Sequence, residues 1–255
     1  MAHEETRTVK SAERVFDILE FIRDSNGVTV SEVASEFNIA ASTAHQYLKT
    51  KELHKFIVKE DGEYHIALRF LDYGETARTR RPSYQLAKEN VEELANETQE
   101  RAQFVVMEHG YGVVLYTTSG DRAVKTDITI GRHVYLHATA AGKAILSQLP
   151  EEQVLEVVEE HGLPKVTENT ITDRNTLLTE LDEIRNRSVA QNNQEDTEGL
   201  RAVGVPVNQT EDDVIGALSV SGPTDRLKGD MLSETVPDLL LGMANELELK
   251  IEYMD

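Results

Sequence analysis

One run of residues, Val30 to Lys51 (VSEVASEFNIAASTAHQYLKTK), limits what this chain can fold into more than any other. Apolar residues recur at Val30, Val33, Ala34 and Phe37, then at Ala41, Ala44 and Leu48, the spacing of two amphipathic helices. Asn38-Ile39 separates them, and Asn tolerates the left-handed conformation that ends helices. Ser42, Thr43, His45, Gln46 and Lys49 fall on the other faces of the second helix. Two short helices, the second polar on its outer side, fit a helix-turn-helix whose second helix enters the DNA major groove. Either Ser42 or Thr43 is expected to cap that helix.

The flanks extend the pattern. A helix is expected from an N-cap at Ser11, with Ala12, Val15, Phe16, Leu19 and Ile22 on its apolar face, stopping at Asp24-Ser25-Asn26-Gly27. Val28-Thr29-Val30 reads as a short strand. Ser31-Glu32 suits a helix start but carries no capping box, since the third residue on is Ala34. Phe56 to Lys59 and Tyr64 to Leu68 are β-type runs around an Asp61-Gly62 turn, a hairpin placed where a winged helix has its wing. Lys55 and Lys59 belong to that wing. A further helix over 69–80 runs into Arg78-Thr79-Arg80-Arg81-Pro82, a cluster that either touches the phosphate backbone or, the preferred reading, forms a solvated hinge. These signals divide the chain into a DNA-binding domain at 1–68, a linker helix at 69–82 and a second domain at 83–255.

Charge tests the nucleic-acid reading. The chain carries 46 acidic and 26 basic residues, net −20. Residues 1–80 hold 11 basic and 14 acidic of these, leaving 15 and 32 for the rest, so the acidity lies mostly outside the proposed DNA-reading part. Within 41–59 the sign reverses, with Lys49, Lys51, Lys55 and Lys59 opposed only by Glu52. A surface this acidic points to a halophilic source, where counterion release drives DNA binding only weakly and base contacts carry more of the affinity.

Beyond residue 82 an amphipathic helix (83–100) precedes strands at 103–107, 111–116 and 124–130. Helices follow at 139–149, 151–161 and 177–187, then strands at 202–207 and 214–221 and a last helix at 232–250. The order predicts an α+β domain, an antiparallel sheet with helices on one side. No apolar run is long enough to span a membrane, and MAHEETRTVK lacks the apolar core of a signal peptide. Cysteine is absent, which excludes disulfides, thiol catalysis and Cys-ligated zinc and agrees with a cytoplasmic location.

Several stretches, in order, resemble the IclR family of transcriptional regulators: SAERVFDILEFI, TVSEVASEFNIAASTAHQYLKT and EYHIALRFLDYG in the first part, then GRHVYLHATAAGKAILSQLPEE, TITDRNTLLTELDEIRNRSVAQNNQEDTEGLRAVGVPV and IGALSVSGPTDRL in the second. The resemblance implies a winged helix-turn-helix joined to a GAF-like effector-binding domain, a homodimer or dimer of dimers on double-stranded operator DNA, and a small-molecule effector, a carboxylate or sugar acid. Departures mark where specificity shifts. Gln46 stands where the family often has Arg, and Gln reads adenine edges. Ser188-Val189 replaces a Gly-Tyr pair. Asn192 or Asn193 replaces an acidic residue, and Ala202 a small polar one, at positions that line the effector pocket in family members.

The residues themselves name the sites. Ser42, Thr43, His45, Gln46, Lys49, Lys55 and Lys59 are the DNA-contact candidates. Ser219 and Ser221 share one strand face by period-two alternation. Ala140, Ala141 and Gly142 offer small side chains and backbone N–H groups ahead of a helix, an anion-binding arrangement. With Asn192 and Ala202 these form the effector-site candidates. Each has a plainer alternative: a serine edge facing solvent, small residues packing a helix. Gly142-Lys143 is no phosphate loop, because His137 occupies the upstream Gly position. His133 and His137 would suit a metal only in a helix, and Val134-Tyr135-Leu136 reads as strand, so no metal and no cofactor is expected. GxSxG, HExxH and GxGxxG are absent. The rival reading from another class is a metabolite-binding protein or degenerate enzyme whose N-terminal domain mediates protein contacts.

Overall fold

The computed structural model describes residues 8–124, 129–210 and 213–254. The chain divides into two compact units, Met1–Ala77 and Arg78–Asp255, each considered by itself below.

In the first unit α1 (Lys10–Ser25), α2 (Val30–Glu36) and α3 (Ala41–Leu53) precede a hairpin of β1 (Ile57–Glu60) and β2 (Glu63–Ile66), and α4 (Arg69–Thr79) runs across the division. Ile18, Ile22, Val33, Ala44 and Leu48 from the helices close on Ile57 and Tyr64 of the hairpin. The hairpin turns at Asp61 and Gly62, whose φ angles of 49° and 97° are those of the tight turn that the Asp-Gly pair favours. Asn38 takes a φ of 48°, the left-handed turn between the two helices.

Three helix starts and one strand differ from expectation, and burial of the helix faces sets where each helix begins. Val9, not Ser11, caps α1, and Ser11 lies inside its first turn. Thr29 opens α2 with a capping box absent from the Ser31 register: its Oγ1 accepts from the Glu32 amide at 3.3 Å, and its own amide donates to Glu32 Oε2 at 2.7 Å. Val28 makes a single bridge to Tyr64, not a strand. Neither Ser42 nor Thr43 caps α3; the cap is Ala40, which makes no side-chain cap bond.

In the second unit α5 (Pro82–Thr98) leads into β3 (Arg101–Glu108), β4 (Tyr111–Ser119) and β5 (His133–Tyr135). After α6 (Ala140–Gln148), α7 (Glu151–His161) and α8 (Arg174–Arg187) come β6 (Ala190–Asn193), β7 (Leu200–Thr210), β8 (Asp213–Pro223) and α9 (Val236–Glu252). The strands form one antiparallel sheet in the order β5-β4-β3-β8-β7-β6, with two sequential hairpins joined through the β3–β8 pair. The expected strand at 124–130 falls partly outside the described residues, and Val124, Thr129 and Ile130 are not in a strand. The edge strand is β5, nearer His133. The polar strand β6 (AQNN) carries no β signal in the sequence and is held by its pairing to β7.

Helices cover both faces of this sheet, not one. Ala102, Phe104 and Val106 pack with Leu94 of α5 and Leu240 and Leu247 of α9. On the opposite face Val105, Val114 and Ala217 pack with Ile145 and Leu146 of α6 and Leu177 and Leu181 of α8. The sheet centre is therefore apolar in both directions, which a one-sided alternation does not describe. No helix among the described residues is long and apolar enough to cross a membrane.

Candidate DNA-reading surface and ligand cavity

The exposed face of α3 carries Ser42, His45, Gln46 and Lys49, while Thr43 is half-buried. The helix enters through Asn38, Ile39 and Ala40, and burial of Ala44 and Leu48 turns the polar residues outward. With no side-chain cap, the first amides of α3 are left to external acceptors such as a phosphate oxygen. Lys49 holds Glu52 at 2.9 Å, so part of its charge is offset within the helix. Lys55 lies in the turn before the hairpin, at a φ of 62°, rather than on the wing; Lys59 is on β1, with Nζ 5.2 Å from the centroid of the Tyr64 ring. Lys51 departs most from its expected role. It is 3% exposed, with Nζ over the Tyr47 ring at 5.1 Å and no hydrogen-bond partner among the described residues, and burial pushes its pKa down to about 8. The outward positive charge of this stretch thus comes from Lys49, Lys55 and Lys59.

In the second unit the sheet and the start of α6 enclose a cavity. Cross-strand register builds its floor in two rows. Arg101 of β3 lies opposite Ser221 of β8, and Ser221 opposite Ala202 of β7, which faces Asn192 of β6. One step along, Gln103 lies opposite Ser219, and Ser219 opposite Gly204. A Cβ on Gly204 would lie within 2.8 Å of the Ala140 and Ala141 backbone, so the missing side chain lets α6 sit directly on the sheet. Thr139 caps α6, its Oγ1 accepting from Gly142 N at 3.1 Å.

The cavity has a volume of about 60 Å³, room for several waters. Ala140, Ala141, Asn192, Ala202, Ser219 and Ser221 all line it, with Val105, Val114 and Val134 as the apolar part of the wall. Gly142 is the one effector candidate outside the lining: its amide is engaged by Thr139, and a Cβ there would strike the Leu136 backbone. Asn192 lines the cavity with its amide already committed. Its Nδ2 donates to the Ala138 carbonyl and its Oδ1 accepts from Glu195 N at 3.0 Å.

Sequence reasoning missed Arg101 and Gln103. Both line the cavity and both are buried, at 5% and 8% exposure. Arg101 Nη2 donates to the Val124 carbonyl at 2.6 Å, and burial lowers the pKa of its guanidinium from the usual value. Their signal was present in R-A-Q-F, where polar side chains alternate with apolar ones at the start of a strand. It also missed the stitch behind the cavity. Lys143, 1% exposed, holds Glu195 at 2.8 Å and Glu180 at 3.1 Å, while the Glu195 carbonyl accepts from Thr170 Oγ1 at 2.6 Å. That network fixes the turn that follows Asn192 on β6. His133 sits on β5 and His137 in the turn after it, where Nε2 faces the Pro164 carbonyl at 3.1 Å.

Residues 11–60 match the IclR helix-turn-helix domain, and residues 77–247 match the bacterial transcriptional regulator IclR C-terminal domain. The chain belongs to the IclR family of transcriptional regulators. A probable HTH-type transcriptional regulator ArcR of Halobacterium salinarum is 29% identical over 252 residues, 97% of this chain and 96% of its own length. The Thermotoga maritima IclR crystal structure superposes with a TM-score of 0.80 at 28% identity, covering 96% of this chain and 99% of that one. A double mutant of the inducer-binding domain of PobR from Acinetobacter, in complex with 3-hydroxybenzoic acid, is 30% identical, with a TM-score of 0.58 over 64% of this chain and 95% of that one. The chain is thus an IclR-type regulator, a sequence-specific DNA-binding protein controlled by a small metabolite.

Proposed function

We propose that two copies of the first unit read a roughly palindromic operator through α3, and that a small organic acid in the second unit's cavity shifts operator affinity in the cytoplasm. The observation that carries this reading is that Ser219, Ser221 and the first residues of α6, Ala140 and Ala141, line one cavity together with Arg101. Hydroxyl, amide and guanidinium donors converging on an apolar-walled space suit a carboxylate. The acid held by the PobR inducer-binding domain supports the same ligand class. Phe16 on α1, 66% exposed, supports that helix as a contact between DNA-binding units, and two-fold pairing matches a two-fold operator. The effect of the acid on DNA is a population shift between states with different operator affinity. The H. salinarum relative and the net charge of −20 support a halophilic source.

Two measurements test the two ends. A gel shift on the protein's own promoter region is expected to show binding that Gln46→Ala and Lys49→Ala weaken; binding untouched by both removes α3 as the reader. A thermal-shift screen of sugar acids and aromatic acids is expected to find a stabilising acid whose effect Ser219→Ala and Ser221→Ala reduce. Stabilisation that ignores both substitutions places the acid elsewhere.

A further inference from the structure

The arginines at 78, 80 and 81, expected in a solvated hinge, are each tied down inside the second unit. Helix α4 has no buried residue and is exposed at every position from Leu71 to Ala77. At Arg78 and Thr79 it becomes half-buried. There the Arg78 guanidinium lies 5.1 Å from the centroid of the Tyr116 ring on β4. Arg80 Nη2 donates to Glu108 Oε1 on β3 at 2.7 Å, and Arg81 lies 5.6 Å from the Tyr84 ring of α5. The two rings beneath are buried, at 6% and 4% exposure. An exposed ion pair alone holds little, and less in high salt. A guanidinium laid on a buried ring adds packing that salt does not screen.

The strands that receive these arginines also wall the cavity. On β3 Gln103 and Val105 line it, while Phe104 between them packs on the other sheet face against Tyr84, ring centroids 6.4 Å apart. On β4 Val114 lines it, while Tyr116 belongs to the opposite core. The β3–β4 register shifts here: Phe104 pairs with Tyr116 and Val105 with Val114, so Leu115 is the extra residue of a bulge. That bulge puts Val114 and Tyr116, two positions apart, on opposite faces of the sheet.

We propose that Arg78 and Arg80 clip the end of α4 to β4 and β3, and that this clip carries the state of the cavity to the DNA-reading unit. This rests on reading the cavity as the effector site, and names the contacts that couple it to operator binding. Arg78 and Arg80 are positioning residues, touching neither effector nor DNA. Occupancy of the cavity presses on Val105 and Val114. A close-packed sheet passes that strain to Phe104 and Tyr116 across the bulge. The arginines on Tyr116 and Glu108 then pass it into α4, which is continuous with the DNA-binding unit.

Operator binding by the ligand-free full chain, on its own promoter region across a KCl series, tests the clip. Arg78→Ala, Arg80→Gln and Glu108→Gln are expected to change operator affinity in the same direction, and Arg78→Ala with Arg80→Gln together by about fivefold or more. The salt slope and the melting temperature are expected to stay near wild type. The exchange Arg80→Glu with Glu108→Arg is expected to restore wild-type affinity. Were Arg80 a phosphate contact, Arg80→Gln would weaken binding and flatten the salt slope while Glu108→Gln tightened it. That pattern, or an affinity untouched by all three substitutions, overturns the proposal. Ala202→Val, which fills part of the cavity, stands in for an occupied site. It is expected to shift operator affinity in the wild type and to lose that effect when Arg78→Ala and Arg80→Gln are also present. An effect that persists in full in that background overturns the clip and leaves the effector site standing. If Ala202→Val binds operator as the wild type does, the effector-site reading fails together with this one.

Discussion

Two buried lysines in this chain have opposite surroundings, and their substitution separates a paired charge from an unpaired one. Lys143 is held by Glu195 and Glu180 beneath the cavity. Lys143→Met strands the Glu195 carboxylate, 7% exposed, and is expected to cost about 3–5 kcal/mol of stability. Adding Glu195→Gln is expected to recover part of that loss in denaturant titrations, since the stranded charge goes with it. A Lys143→Met variant as stable as the wild type would mean the network contributes nothing. Lys51 has no such partner, and its pKa falls to about 8 against an ordinary 10.5. Between these values the unfolded chain binds more proton than the folded one, so stability rises with pH from about 8 to 10.5, and the cost is fully present below pH 8. Lys51→Met is expected to raise stability at pH 7 by about 2 kcal/mol and to flatten the rise above pH 8. Thermal melts of both proteins across pH 7–10 decide it: parallel profiles would show that Lys51 is hydrated in the folded state.

At the level of elements, the start of α2 shows how a helix end and its position can be separated. The Thr29–Glu32 box satisfies two main-chain donors of α2 and fixes the helix that braces α3. Thr29→Ala is expected to cost about 1 kcal/mol, with Thr29→Ser recovering most of it; equal melting temperatures for Ala and Ser would remove the box as a contributor. The same region explains what was legible in the sequence. The 3.6-residue period of 30–37 and 41–48 and the Asp61-Gly62 turn located the helix-turn-helix and hairpin, because those patterns depend on local spacing. Helix starts at Ser11, Ser31 and Ser42 or Thr43 were misplaced because long-range burial chose the register. In the second unit, Ser219 and Ser221 were legible through alternation, and α6 through its small residues. Strand β6, the helices on both sheet faces and the Lys143–Glu195 pair depend on contacts between distant segments. Arg101 and Gln103 were within reach of the same alternation argument that found the serines.

Across the whole molecule, charge and DNA recognition place opposite demands on salt. A net charge of −20 repels itself at low ionic strength, and a Debye length of about 10 Å at 0.1 M, falling to about 3 Å at 1 M, removes most of that repulsion. The phosphate contacts proposed for Lys55 and Lys59 are expected to weaken over the same range, because each would depend on released counterions. The base contact proposed for Gln46 would depend on hydrogen-bond geometry and is expected to change little with salt. Operator binding at 0.1 and 1 M KCl therefore separates the two kinds of contact in one protein. Lys59→Ala is expected to weaken binding clearly at 0.1 M and hardly at 1 M, and to make the salt slope shallower by about one. Gln46→Ala is expected to cost about 1–3 kcal/mol at both concentrations and to relax preference at one base pair. A Gln46→Ala penalty that fades with salt as the Lys59→Ala penalty does would make Gln46 a backbone contact. The sequence preference of α3 would then reside in its remaining outward residues, Ser42 and His45.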